Sequence, residues 1–200
     1  MPNIPAVERR RSLIDAAFSI IARDGIAAAS TRAVANEAGA SLASYHYAFR
    51  SQAELMEALI EDTLSFERLG LESAMIDATD LRSTIELCLR NYFEGLKANP
   101  HREMAMLELT QYALRTPGLE HYASAQYQRY YALAEGLVNA LAQGFGVRFA
   151  LDSAALGRLI VVFTDGLTTT WLAERDDAQA LQNIDTVAGV LMGFVQGEPA

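Results

Sequence analysis

The chain has 200 residues, of which 51% are hydrophobic and 20% charged, with only 5 prolines and 13 glycines. This composition is typical of a globular protein of one or two domains and excludes disordered and fibrous classes. No stretch between charged side chains exceeds 12 residues, whereas a membrane-spanning helix needs about 20 apolar residues. The first residues carry three consecutive arginines and no apolar secretory core. We therefore predict a soluble, cytoplasmic protein that crosses no membrane.

The residue types that support metal or covalent chemistry are scarce. The single cysteine, Cys88, excludes an internal disulfide and a cysteine zinc cage, and its apolar neighbours predict a buried thiol rather than a reactive one. The three histidines, His46, His101 and His121, form no His-Glu-x-x-His arrangement. No Gly-x-Ser-x-Gly elbow and no Gly-Lys-Ser phosphate loop occurs. We expect no metal, no cofactor and no enzymatic activity.

The charge is distributed unevenly along the chain. The formal net charge is −9, which by itself argues against a polyanionic partner. Residues 1–50, however, hold six arginines against four acidic residues, whereas residues 51–200 hold ten basic against twenty-one acidic residues. A basic first segment followed by an acidic body suggests two separate roles.

Hydrophobic periodicity and capping residues predict a helix in almost every segment. The class is all-α, with about nine helices at 8–24, 31–38, 41–48, 51–70, 80–98, 101–115, 119–145, 152–175 and 180–196. Residues 146–151 alternate like a strand but are expected to be too short to pair with another strand. No Pro, Gly or Ser linker interrupts the fourth helix, which is expected to couple the basic segment mechanically to the rest of the chain.

Residues 31–49 carry the most specific pattern. Two short helices flank a turn at Gly39, where the left-handed conformation favours glycine, and this is the helix-turn-helix arrangement that places its second helix in the DNA major groove. Ser41 and Ser44 stand near the start of that second helix, where backbone amides favour phosphate. Short helical turns are common, so spacing alone also permits a purely structural pair of helices.

The segment from Arg11 to Leu55 resembles the N-terminal domain of the tetracycline-repressor (TetR) family of bacterial regulators. The resemblance rests on Ile14, Ala16, Ala17, Gly25, Ser30, Thr31, Arg32, Val34, Ala35, Ala38, Gly39, Ala40, Ser41, Phe49, Ser51, Glu54 and Leu55. The chain departs from the family pattern at Tyr45, His46 and Ala48, and Gln52 replaces a lysine that typically meets a phosphate. The resemblance implies a DNA-binding domain at 1–50 and a ligand-binding and dimerisation domain at 51–200.

The resemblance also assigns roles by position. The base-reading residues are expected to be Leu42, Ala43 and Ser44. The residues expected to contact the DNA backbone are Thr31, Arg32, Ser41, His46, Tyr47 and Gln52. Tyr45 is predicted to pack in the core. The arginines at 9–11 either belong to a frayed, solvated terminus, or at least one of them contacts a phosphate or the adjacent minor groove.

The rest of the chain is expected to dimerise and to bind a small molecule. Helices eight and nine contain the most apolar stretches, 154–172 and 187–195, and are predicted to form the homodimer contact; an intramolecular core is the alternative. Aromatic and methionine side chains suggest a concave apolar site. The candidate ligand contacts are Phe93, Met104, Glu108, Tyr112, Tyr127, Tyr131 and Trp171.

These patterns predict a transcriptional repressor that binds a palindromic operator as a dimer. A small-molecule effector, wedged between the fourth helix and helices six and seven, is expected to release it from DNA. An all-α enzyme and a helical adaptor that binds only protein are the alternatives. Neither alternative explains the basic first segment.

Overall fold

The structure is a computed structural model that describes residues 5–62 and 80–196. Its described residues form nine α-helices, which confirms the predicted all-α class. The helices are α1 (Ala6–Asp24), α2 (Thr31–Glu37), α3 (Leu42–Ala48), α4 (from residue 52 to the end of the described segment at 62), α5 (Leu81–Ala98), α6 (Pro100–Arg115), α7 (Glu120–Phe145), α8 (Ser153–Glu174) and α9 (Asp177–Met192). The part of the predicted fourth helix beyond residue 62 lies outside the described residues.

The strand-like segment before α8 does find a partner, contrary to the expectation from sequence. Strand β1 (Arg148–Phe149) pairs antiparallel with β2 (Val195–Gln196). The prediction of a ninth helix as far as residue 196 is wrong at its C-terminal end. Helix α9 ends at Met192, Gly193 caps it, and the chain continues as a strand. A backbone hydrogen bond of 2.7 Å, donated by the Ala150 amide to the Phe194 carbonyl, extends the pairing.

The chain divides into two compact units. Among the described residues, the first unit comprises 5–62 and 99–124, and the second comprises 80–98 and 125–196. In the first unit, α1 packs against α2, α3 and α6. The predicted boundary at residue 50 divides the chain by role, into a DNA-binding segment and a ligand-binding segment. The two compact units are a different division, so this boundary stays a prediction.

Four charged side chains join three helices of the first unit. Arg102 of α6 donates hydrogen bonds to Asp62 of α4 and, at 2.7 Å, to Asp15 of α1. Arg11 of α1 donates to the other oxygen of Asp62 at 2.6 Å. Only 8% of the Asp62 side chain and 13% of the Arg102 side chain are exposed. We call Arg11, Asp15, Asp62 and Arg102 the ionic cluster; it fixes α1 against the described end of α4 and the start of α6.

The guanidinium of Arg102 also lies over the aromatic face of Phe18, with its central carbon 4.6 Å from the ring centroid. Removal of this guanidinium from water lowers the pKa of Arg102 in spite of the neighbouring carboxylates. The arginine nevertheless stays charged, because its ordinary pKa lies above 12. The mostly buried Arg102 and Asp62 therefore depend on each other for charge compensation.

The second unit is held by an apolar core that α5, α7, α8 and α9 share. Phe93 and Trp171 meet edge to face with ring centroids 5.7 Å apart, and the indole nitrogen of Trp171 donates to Asp177 at 2.7 Å. Helices α7 and α8 approach closely at Gly157, where a Cβ would lie 2.8 Å from the backbone nitrogen of Glu135. This glycine thus permits a helix contact within one chain.

A small cavity remains in this core. Its volume is about 30 Å³ and its lining is entirely apolar, with Cys88 among the side chains. Burial raises the pKa of the Cys88 thiol to about 11. Apolar cavities of this kind stay dry and are too small for an effector.

Among the described helices, none is long and apolar enough to cross a membrane.

Candidate DNA-binding surface and effector residues

The turn between α2 and α3 is built from local hydrogen bonds. The Ser30 hydroxyl accepts from the Ala33 amide at 3.3 Å and caps α2, and the Ser41 hydroxyl accepts from the Ser44 amide at 3.1 Å and caps α3. Between them Gly39 has φ +60°, a conformation that other residues rarely adopt. The Ala40 amide then bonds back to the Ala35 carbonyl at 2.8 Å. These contacts fix the direction in which α3 leaves the turn.

Buried side chains hold α3 against the rest of the first unit. Val34 and Ala35 of α2 are buried, and Tyr45 and Phe49 are among the largest fully buried side chains. The inward orientation predicted for Tyr45 is confirmed. Its hydroxyl makes no well-formed hydrogen bond. The side chain of Thr31 lies near this hydroxyl, but the two groups do not have hydrogen-bond geometry. Burial raises the pKa of Tyr45.

The opposite face of α3 is open to solvent. Tyr47 is 84% exposed and Leu42 is 44% exposed, an unusual amount for large apolar side chains on one short helix. Ala43 and His46 are also exposed, as is Arg32 on α2. Thr31 and Ser44 are half-buried, and Ser41 and Gln52 are exposed. The structure thus brings all nine predicted DNA contacts to α2, α3, the α3 cap and the start of α4.

The arginines of the first unit differ in how their charge is used. Arg11 belongs to the ionic cluster, Arg23 pairs with Asp24 and Glu37, and Arg10 lies over the Phe49 ring at 4.8 Å. The Arg32 guanidinium is exposed and has no hydrogen-bond or ion-pair partner among the described residues. Its charge is available to an external anion.

Three predicted DNA contacts also form hydrogen bonds within the chain. The Ser44 hydroxyl lies 2.9 Å from the Ser41 hydroxyl. The Gln52 side-chain amide donates to the Ala29 carbonyl at 3.3 Å. At the start of α4, the Ser51 hydroxyl accepts from the Glu54 amide and caps the helix, and the Glu54 carboxylate accepts from the amide of Arg50, the residue before the cap. Gln52 therefore ties α4 to the loop before α2 in addition to any external contact.

The predicted ligand contacts fall in both units. Met104, Glu108 and Tyr112 belong to α6 in the first unit, where Met104 and Glu108 are exposed. Phe93 and Trp171 lie in the core of the second unit. Tyr127 and Tyr131 lie on α7 in the same unit, half-buried, with ring centroids 5.9 Å apart. The structure brings together Phe93 with Trp171 and Tyr127 with Tyr131.

The sequence analysis missed Asp165. The Tyr127 hydroxyl donates to Asp165 Oδ2 at 2.7 Å, and burial raises the pKa of both groups. A signal was present, because Asp165 is the one acidic residue within the apolar stretch 154–172. A lone carboxylate on an apolar helix is expensive to bury and marks a candidate binding residue.

Two protein-family models match the chain. Residues 13–59 match the model for bacterial regulatory proteins of the tetR family, and residues 81–194 match the C-terminal model of BetI-type transcriptional repressors. A curated relative, the nicotine-responsive transcriptional repressor HdnoR of Paenarthrobacter nicotinovorans, is 29% identical over 175 residues, covering 88% of this chain and 89% of the relative. The matched family and this relative are transcriptional regulators.

Solved structures share the fold. A TetR-family transcriptional regulator from Rhodococcus sp. superposes with a TM-score of 0.79 at 21% identity, covering 93% of this chain and 99% of that one. The regulator FadR from Bacillus subtilis, in complex with stearoyl-CoA, gives a TM-score of 0.73 at 17% identity and covers 93% and 99%. The all-helical arrangement of this chain is therefore a known one.

Proposed function

Because this chain belongs to the tetR family of bacterial regulatory proteins and is a DNA-binding transcriptional regulator, we propose that it is a repressor of one operator. It binds a palindromic duplex in the cytoplasm as a homodimer and leaves the duplex when a small-molecule effector binds. The observation that carries this proposal is the exposed face of α3, which displays Leu42 and Tyr47 beside the unpaired charge of Arg32.

The residues of that face divide into two roles. Leu42, Ala43 and Ser44 lie at the start of α3, the end of a recognition helix that contacts base edges. Side chains around them contact the phosphate backbone, which positions the protein without reading sequence. These backbone contacts are Thr31, Arg32, Ser41, His46, Tyr47 and Gln52. The division is supported by the position of the three base-reading residues in the first turn of α3 and by the free charge of Arg32.

The homodimer contact is proposed on α8 and α9. Leu159 and Val162 on α8 are 40% and 65% exposed, and Val190 on α9 is 52% exposed. Leu159 and Val162 are one helical turn apart on α8 and share a face, which a second copy would remove from water. A two-fold dimer presents two copies of α3, which read successive major grooves if they lie about 34–36 Å apart. Val162→Glu should dissociate the dimer, whereas Ala140→Glu, at an exposed position of α7, should not.

The effector is proposed to be a small organic molecule that contacts the second unit. Two similar proteins support this class, because HdnoR is named as nicotine-responsive and FadR is seen in complex with stearoyl-CoA. Tyr127 and Tyr131 are the contacts that we favour, because they are adjacent, aromatic and half-buried. Release leaves the dimer intact, so an effector that dissociates the dimer at the same concentration would contradict the proposal.

The decisive experiment compares two variants on a set of half-site sequences. Ser44→Ala should change the preferred base at one position by about 1–3 kcal/mol, because a base contact is lost. Arg32→Ala should weaken all sequences alike and reduce the salt slope by about one, because a phosphate contact is lost. Arg23→Ala is the matched control, since its charge is already paired with Asp24 and Glu37.

The assay measures the affinity for a palindromic and a scrambled duplex over a range of salt concentrations. Equal affinity for both duplexes at physiological salt would contradict operator recognition. If Ser44→Ala and Arg32→Ala lose affinity in the same pattern across the set, the two assigned roles are wrong.

A further inference from the structure

Asp165 lies midway along α8 with its charge almost uncompensated. Its one hydrogen-bond partner among the described residues is the Tyr127 hydroxyl, which donates to Oδ2 at 2.7 Å. The other oxygen, Oδ1, has no partner among the described residues, and the side chain as a whole is half-buried. No lysine, arginine or histidine nitrogen of the described residues lies within 4 Å of this carboxylate.

The surroundings of Asp165 make an unpaired charge costly. The neighbouring positions Val161, Leu167 and Thr168 on α8 are buried. Burial is the main cause that raises the pKa of Asp165, and the Tyr127 hydrogen bond only partly opposes it. A neutral donor compensates a desolvated carboxylate less well than a cation does. The negative charge of Asp165 is therefore not balanced by any cation of the described residues.

The tyrosine that contacts this carboxylate, Tyr127, has two further aromatic rings beside it. The Tyr127 ring lies 5.8 Å from the Tyr130 ring and 5.9 Å from the Tyr131 ring, centroid to centroid. The central carbon of the Arg158 guanidinium lies 4.4 Å from the centroid of Tyr131, so one ring of the group already holds a cation on its face. Aromatic faces attract cations, and groups of such rings bind substituted ammonium ions.

We propose that Asp165 and the rings of Tyr127, Tyr130 and Tyr131 form a binding site for an organic cation, a protonated or quaternary amine attached to a ring or short alkyl group. Its nitrogen lies against Asp165 Oδ1 and its apolar part lies on the tyrosine rings. The inference rests on the proposed function in one respect, namely that this ligand is the effector.

Other ligand classes fit the site less well. An anion such as a fatty acid would meet the negative charge of Asp165. A neutral apolar molecule would cover the carboxylate without compensating it, at a high cost in free energy. A metal ion is disfavoured because the described residues hold no group of three or more His, Cys, Asp or Glu side chains that could bind one. An organic cation alone matches both the charge and the rings.

The test measures direct binding to the full chain without DNA. Phenyltrimethylammonium is titrated by calorimetry and compared with 2-phenylpropan-2-ol, a neutral and water-soluble compound of similar shape. We expect the cation to bind at least tenfold more tightly than the alcohol. Equal affinities, or no saturable binding of the cation, would overturn the proposal.

Two variants locate the site. Asp165→Asn keeps the acceptor for Tyr127 and removes the charge, so the preference for the cation should disappear. Asp185→Asn is the matched control, because it removes an acidic charge on α9 that is paired with Arg90 and should leave the preference intact. Retention of the preference in Asp165→Asn, or its loss in Asp185→Asn, would overturn the assignment.

Tyr127→Phe separates binding from a structural role. It keeps the ring and removes the hydroxyl that competes for the carboxylate, so the cation should bind at least as tightly as in the original chain. If Tyr127→Phe loses the cation as completely as Asp165→Asn, the pair only ties α7 to α8 and the proposal fails. This variant decides the question even if Asp165→Asn does not fold.

Release from operator DNA is measured separately. Phenyltrimethylammonium at a saturating concentration should lower the affinity of the original chain for a palindromic operator by about 5- to 150-fold, the usual range of such coupling. Binding without release would overturn the effector assignment. Failure to bind any palindrome in the absence of the cation would contradict the proposed function and leave the calorimetric result for the site unchanged.

Discussion

Both compact units have an apolar core, but their polar interactions differ. In the first unit, α1, α4 and α6 are also joined by the ionic cluster, and α2 and α3 by serine caps and a glycine turn. In the second unit, large apolar side chains fill the space among α5, α7, α8 and α9, and α7 meets α8 at a glycine. The buried charges of the ionic cluster compensate one another within the chain, whereas Arg32 faces outward. In the second unit, the half-buried carboxylate of Asp165 has a tyrosine hydroxyl as its partner and no cation.

This difference matches two modes of recognition. A surface that contacts DNA needs a rigid helix and free positive charge, and here helix capping and ion pairing add to the rigidity that the apolar core of the first unit provides. A site for an uncharged or cationic small molecule needs apolar walls with few polar groups. The comparison can be tested by removing, one at a time, the interactions that define each unit.

The largest expected effect is in the ionic cluster. Asp62→Asn removes the carboxylate that compensates Arg102 and should lower the free energy of unfolding by about 3 kcal/mol, the cost of leaving a mostly buried charge without its partner. Chemical denaturation of the full chain measures it. Arg23→Gln, whose ion pairs are exposed, is the control and should leave stability unchanged. Similar losses in both variants would show that the cluster is an ordinary surface feature.

The second prediction tests the close helix approach in the second unit. Gly157→Ala places a Cβ 2.8 Å from the Glu135 backbone nitrogen and should cost about 1–3 kcal/mol of stability, because neither backbone can yield freely. Gly166→Ala lies on the same helix with nothing within 4 Å of its Cβ and should be neutral or stabilising by up to about 1 kcal/mol. Thermal unfolding of the two variants compares them. A stabilising Gly157→Ala would contradict the packing described for α7 and α8.

The third prediction concerns the one buried polar atom that lacks a partner among the described side chains. Tyr45→Phe removes the unbonded hydroxyl and should raise stability by about 1 kcal/mol, because a buried polar group without a hydrogen bond carries a desolvation cost. Tyr47→Phe changes an exposed ring and should leave stability unaltered. Destabilisation by Tyr45→Phe would mean that the hydroxyl does bond to Thr31.

Local features of this chain were predictable from sequence and distant contacts were not. Ser30, Gly39 and Ser41 act on residues within three or four positions, so their spacing alone indicated the turn that the structure shows. The pairing of Arg102 with Asp62 and Asp15 spans 40 and 87 positions, and no local pattern selects those partners from the other charges. The pairing of β1 with β2 was missed for the same reason.

The candidate sites follow the same rule. The predicted DNA contacts lie on one continuous segment whose helical phase is readable from apolar spacing, and the structure places these residues on two short helices and their flanks. The predicted ligand contacts come from separate helices, and aromatic residue type alone does not separate Phe93 and Trp171, which pack in the core, from Tyr127 and Tyr131. Asp165 becomes a candidate only once its partner on α7 is known.

The smallest expected effect comes from Cys88 in the second unit. Because the pKa of its thiol is raised from about 9 to about 11 in the folded chain, the unfolded chain loses its proton first as the pH rises above about 9. Unfolding is therefore favoured with increasing pH in the window between about 9 and 11, and the contribution of the neutral buried thiol is fully present only below that window. At pH 9.5 the loss should be about 0.8 kcal/mol relative to pH 7. Cys88→Ala should remove this part of the pH dependence, so the difference in stability between the two proteins should shrink from pH 7 to pH 9.5. A constant difference over that range would show that the thiol titrates normally, and the core around it would then be open to water.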